Sequence, residues 1–129
     1  MADSTDFRKW LERAGQDLRL IEVIKKDGVG GLEESFCYTC NQAAEKLLKS
    51  YLLKREHWTP RTHDLVYLLS RCVHSAKSLR ELQDEMMVLN EYSVSARYPS
   101  DFEEARTPEE AEEAYVCITT INTALKAFF

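Results

Sequence analysis

Between Phe36 and Leu53 the chain reads FCYTCNQAAEKLLKSYLL, and no other stretch restricts the possible folds as much. Phe36, Cys40, Ala43, Ala44, Leu47, Leu48 and Tyr51 recur at spacings of three and four, which places them on one side of an α-helix. The other side is thin. Gln42, Glu45, Lys46 and Lys49 are its polar members, a more ordered set than a solvated helix face usually carries. Glu45 and Lys49 stand four residues apart in the favourable order, but such a pair contributes only ~0.3 kcal/mol, too little for helix stability to explain the pattern.

The same period recurs along the rest of the chain. Ser4, Thr5 and Asp6 offer N-caps for a first helix whose apolar residues run from Phe7 through Trp10, Leu11, Ala14, Leu18 and Ile21 to Ile24, closing at Lys25. The only glycine cluster, Asp27-Gly28-Val29-Gly30-Gly31, reads as a short connection into the central helix. It lacks the strand, helix and Lys-Ser/Thr context of a phosphate-cradling loop. The central helix is expected from about Leu32 to Arg55, because Pro60 forces Thr59 into an extended conformation. Thr62 is the expected cap of a third helix, THDLVYLLSRCVHSA, and Ser78-x-x-Glu81 reads as the capping box of a fourth carrying Leu79, Leu82, Met86, Leu89 and Tyr92. Periodicity stops around Ser95 and resumes at Thr107-Pro108-Glu109-Glu110, where a cap, an N1 proline and an N3 glutamate coincide.

These segments predict an all-α fold, an antiparallel four- to five-helix up-and-down bundle forming a single domain over residues 1–129. With four Gly and three Pro, the chain has too few turn residues for a β-sandwich. Its 129 residues suffice for a core without metal or disulfide support. Cys37 and Cys40 form a C-x-x-C, but the second pair that a zinc site needs is missing and both fall inside a helix; no metal is expected. With no secretory signal and no apolar run long enough for a span, a reduced, cytoplasmic protein away from the membrane is the expectation. A net charge of −5 argues against a protein that binds by coating nucleic-acid phosphates.

Three polar islands interrupt the helical background: Asn41-Gln42-x-x-Glu45-Lys46, Thr62-His63-Asp64-Leu65 and Ala96-Arg97-Tyr98-Pro99. Together with QAAEKLLKSYLL at Gln42 to Leu53, THDLVYLL at Thr62 to Leu69, LNEYSVSARYP at Leu89 to Pro99 and the TPEEAEEA start at Thr107, they make the chain resemble the HEPN domain family. The resemblance covers most of the chain in the right order. It implies a helical bundle that usually pairs as a homodimer and often works beside a minimal nucleotidyltransferase as its substrate-binding half; no cofactor is expected. Other relatives are ribonucleases of toxin-antitoxin systems, which carry an arginine, four to six intervening residues and a histidine.

That ribonuclease motif is absent. The three histidines are His57, His63 and His74, and none has an arginine five to seven positions before it; Arg97 has no histidine within reach. Metal-independent RNA cleavage needs a proton-shuttling group near neutral pH as well as an arginine on the phosphate. The chain is therefore read as a non-catalytic module binding a nucleotide or an RNA end, with Lys46, Lys49 and Arg97 on phosphate and His63 or Tyr98 against a base. Beside this stands the plainer possibility that Gln42, Glu45 and Asp64 form a structural polar network and that Trp10 and Trp58 are packing residues. The alternatives are a ribonuclease with a degenerate site, such as Arg97 with His63, and a purely structural dimer that binds a partner protein.

Overall fold

The first helix, α1 (Phe7–Asp27), starts at Asp6, whose carboxylate accepts the Arg8 amide at 3.0 Å, while Ser4 Oγ accepts the Asp6 amide at 3.1 Å. It runs two residues past the expected end at Lys25 and stops at Gly28, whose φ of 119° is open to glycine and strained for other residues. The structure is a computed structural model that describes residues 2–93 and 105–129; no strand occurs among the described residues. The all-α bundle expected from the helical periodicity is the fold observed.

The second helix, α2 (Glu33–Glu56), is its axis. Fifteen of its 24 residues are buried, among them the consecutive Tyr51, Leu52 and Leu53, so it is covered on every side and not along one stripe. α1 runs against it: Trp10 lies beside Lys49, and Asp17 beside Lys46. The last helix, α5 (Pro108–Lys126), runs with it, since Tyr115 meets Phe36 near its start and Phe128 meets Tyr51 edge-on, ring centroids 5.3 Å apart, near its end. The expected start of α5 is confirmed in detail: Thr107 Oγ1 accepts the Glu110 amide at 3.1 Å, and the Glu110 carboxylate accepts the Thr107 amide at 3.0 Å.

Two other starts differ from expectation. The third helix, α3 (Leu65–Val73), is capped by Asp64 and not Thr62: Asp64 Oδ1 accepts the amides of Val66 and Tyr67, and Thr62 Oγ1 serves only to receive the Asp64 amide. A carboxylate there also suits the positive end of the helix. The capping box expected at Ser78 and Glu81 does not form, because Lys77–Leu82 is a 3-10 segment with no side-chain cap. Leu79 and Leu82, three apart and both buried, fall on the same side of a three-residue turn, so packing selects the tighter helix. The fourth helix, α4 (Gln83–Asn90), follows directly.

The path from α2 to α3 places the polar residues. Residues 57–64 double back along α2 until His63 stands beside Glu45, and α3 then leads toward Tyr51, whose hydroxyl meets Ser75 Oγ at 2.7 Å. Asn41 Nδ2 donates to Leu89 O at 2.8 Å and ties α4 to the centre of α2. The four cysteines are free and buried, and burial pushes the thiols up, Cys37 and Cys72 to about 12 and Cys117 to about 11, with Cys40 raised further.

Leu48 is fully buried on the central helix, so Leu48→Ala should cost about 2–5 kcal/mol in chemical denaturation, whereas Thr107→Ala, losing one cap, should cost about 1 kcal/mol. The folded thiols hold their protons above the unfolded value of about 8.5. Their contribution is therefore full below about pH 8.5 and is lost as pH rises toward 12. Urea midpoints should fall over that window, and a thiol-reactive disulfide at pH 8 should titrate the cysteines only after denaturation.

Candidate functional site

The turn of α2 from Gln42 to Lys49 carries four of the polar residues singled out in the sequence. Their period puts Glu45 and Lys49 on one line and Lys46 on the next. Lys49 Nζ donates to Glu45 Oε2 at 3.2 Å, and each side chain exposes only 5% of its surface. A buried ion pair of this kind needs further partners to offset its desolvation. Glu45 has one in His63, whose Nδ1 lies 3.0 Å from Oε1 and 3.1 Å from Oε2. The carboxylate accepts, so Nδ1 carries the proton and Nε2 is the basic nitrogen of the neutral ring. Lys49 has the indole of Trp10, with Nζ 5.2 Å from the ring centroid.

Lys46 points to α1, where Nζ donates to Asp17 Oδ2 at 2.6 Å. Both lysines expected to face a phosphate are thus held by carboxylates, and Lys49 is a buried cation and not a surface one. Gln42 Nε2 donates to Asn41 Oδ1 at 3.1 Å and not to Glu45. Asp64 is engaged in capping α3 and in accepting Asn90 Nδ2 at 3.1 Å. The site expected from the islands therefore divides: Glu45, Lys49 and His63 come together, Lys46 sits one step away on Asp17, and Gln42 and Asp64 serve neighbouring backbone and side chains. Arg97 and Tyr98 lie outside the described residues.

Lys49 also belongs to something that the islands do not announce. Beyond it, at the C-terminal end of α2, a cavity of about 400 Å³ opens between residues 2–5, Trp10 and the link from His57 to Arg61. A second hollow of about 500 Å³ shares Asp3, Ser4 and Trp10 with the first and has walls of both signs, Lys9, Arg13 and Lys46 against Asp3 and Glu12. Among the charged walls of the first cavity are Lys49 and Arg61, against the single carboxylate of Asp3. Lys49 is already balanced by Glu45, so the cation this cavity can offer an anion is Arg61, which forms no ion pair among the described residues. Trp10 and Trp58, read from the sequence as packing residues, both line it, and Trp58 is 52% exposed. The signal that could have found them was their position: Trp58 follows the end of α2 directly, where an apolar side chain has no helix face to bury.

Removing Lys49 alone strands a buried carboxylate, so Lys49→Met should cost about 3–5 kcal/mol, while the double change Glu45→Leu with Lys49→Met should recover most of that loss; urea unfolding of the four proteins measures the coupling.

The HEPN domain family matches residues 7–127 of the chain. The fold is similar to the crystal structure of an archaeal HEPN homologue, with a TM-score of 0.72 and 24% identity, covering 95% of this chain and 96% of that one. At that identity the likeness speaks for the fold. No curated protein matches the chain.

Proposed function

This chain belongs to the HEPN domain family, and from that premise we propose that it is a non-catalytic binding module, holding a nucleotide or an RNA end beside a minimal nucleotidyltransferase. The observation that carries the reading is the cavity at the end of α2, where the unpaired Arg61 stands in one wall with Lys49, itself paired to Glu45, in another. A phosphate entering there meets a guanidinium able to bind it through two donors, and a lysine already desolvated by its surroundings. Lys46 lines the neighbouring hollow, which also shares Trp10. Pairing to Asp17 leaves it positioned, and a phosphate that approaches competes with that carboxylate. The partner subunit and the second copy of a homodimer enter on the family's habits, together with the cytoplasmic setting expected from the sequence. No described helix is long and apolar enough to cross a membrane.

One observation favours a second reading. The His63 side chain is 67% exposed, and its Nδ1–H rests on Glu45, which fixes the tautomer and leaves Nε2 to accept a proton, as a general base in RNA cleavage requires. A ribonuclease built on His63 would still need a cation at the phosphate within reach of that nitrogen.

Calorimetry with nucleoside phosphates and short RNAs, with and without the nucleotidyltransferase, tests the first reading. Binding should be detectable in the wild type and weaken about tenfold in Arg61→Ala, whose exposed side chain leaves the fold intact. No binding under either condition would remove the reading. Purified protein should leave transfer RNA and messenger RNA whole; cleavage abolished by His63→Ala would replace it with the second.

A further inference from the structure

Three local costs meet at the cavity beyond Lys49. Thr59, one of its walls, has a buried hydroxyl with no hydrogen-bond partner. A buried donor left unmade is expensive, and an unexplained one marks a place where something else completes it. His57, another wall, stands at φ 60°, the only non-glycine residue with positive φ among the described residues. Glycine is the usual residue at a left-handed helix end, so a histidine there accepts strain that the cap does not require. Trp58, between them, leaves about half its surface in solvent.

The indole is also held from behind. The Arg71 guanidinium lies 5.7 Å from the Trp58 ring centroid, and Arg71 is not a wall of the cavity, so it backs the ring from outside while the ring lines the inside. Arg71 Nε is itself buried without a partner, which makes stacking on Trp58 the contact that fixes this arginine. Trp10, another wall, is also held, its Nε1 donating to Ser4 O at 2.7 Å, and Lys49, itself a wall, stands over its ring. Two indoles, each held in place, together with Leu53 and Pro60 give the cavity apolar walls, in one of which the Thr59 hydroxyl is buried without a partner. A planar heterocycle with a polar edge covers the exposed indole and meets the hydroxyl; an inorganic anion meets the charge and the hydroxyl and leaves the indole face bare.

We infer that the cavity takes one unpaired nucleobase, stacked on Trp58 with its polar edge on Thr59 Oγ1, so that the attached phosphate lies at Arg61. The inference rests on the anion-binding reading above and adds to it the base as the recognised part. Its chemistry is shared by a free nucleotide and by the last residue of an RNA strand, and the volume of about 400 Å³ is that of a site for a ligand of one residue. Stacking contributes regardless of base identity, so discrimination between bases comes from the hydroxyl.

Fluorescence and calorimetric titrations of the whole chain with AMP, CMP, ribose 5-phosphate and two RNA hexamers, one intact and one ending in an abasic residue, decide it. The expected result is quenching of tryptophan fluorescence by the base-bearing ligands, with affinity lowered about tenfold or more in Trp58→Ala. Thr59→Val should lower affinity and leave thermal stability unchanged or raised; His57→Gly should raise the melting temperature by roughly 2–4 °C, since the strain is relieved. AMP and CMP binding as well as the intact hexamer identifies a free nucleotide as the ligand; the hexamer alone identifies a strand end. Equal affinity for ribose 5-phosphate and AMP, together with equal affinity for the abasic and intact hexamers, would overturn the base slot and leave the phosphate reading standing. Unchanged affinity in both Trp58→Ala and Thr59→Val would likewise overturn the slot, and no binding of any of the five would overturn both.

Discussion

The ion pair between Glu45 and Lys49 is the constraint around which this bundle is arranged. Two opposite charges on the middle of a central helix, each 5% exposed, are tolerated only where every flanking element supplies something to them. α1 supplies the Trp10 ring, and the α2–α3 link supplies the His63 imidazole. An aliphatic pair in the same places would let α1 slide along α2 at little cost, because leucine packs against leucine in several registers. A buried charge fixes the register, since Trp10 must face Lys49 and the link must return as far as Glu45. The long backward path of residues 57–64 follows from this, and that path walls the cavity.

Much of the fold was legible in the sequence. The 3.6 period of α2, the caps at Asp6 and Thr107 and the proline-bounded end of α2 are local signals, and local physics decides them. The 3-10 segment at Lys77–Leu82 was not, because a Ser-x-x-Glu pattern is compatible with a helix start while the choice of three residues per turn is made by where Leu79 and Leu82 find the core. The switch from Thr62 to Asp64 at the start of α3 has the same origin: both residues are competent caps, and the anchor of His63 on Glu45 decides which one sits at the turn.

The site was legible only in part. Spacing put Glu45 and Lys49 on one line of α2, and their contact is that of neighbours in sequence. The other partners come from residues 29 to 39 positions away: Asp17 for Lys46, Trp10 for Lys49. No periodicity records such distances. Trp10 satisfied the apolar pattern of α1 and so looked like core, while its exposed edge, the free hydroxyl of Thr59 and the backing of Trp58 by Arg71 belong to tertiary structure alone.

The aromatic closure at the end of α5 bears on how such a domain can be joined to another. Phe129 stacks on Phe7 with centroids 6.3 Å apart, Phe128 meets Tyr51, and Lys54 Nζ donates to Phe128 O at 2.9 Å. The first turn of α1 and the last of α5 are thereby gathered at the pole of α2 where the cavity opens. A domain fused to either terminus emerges within a short tether of that opening, at a high effective concentration over it, while the opposite pole is left far from both attachment points.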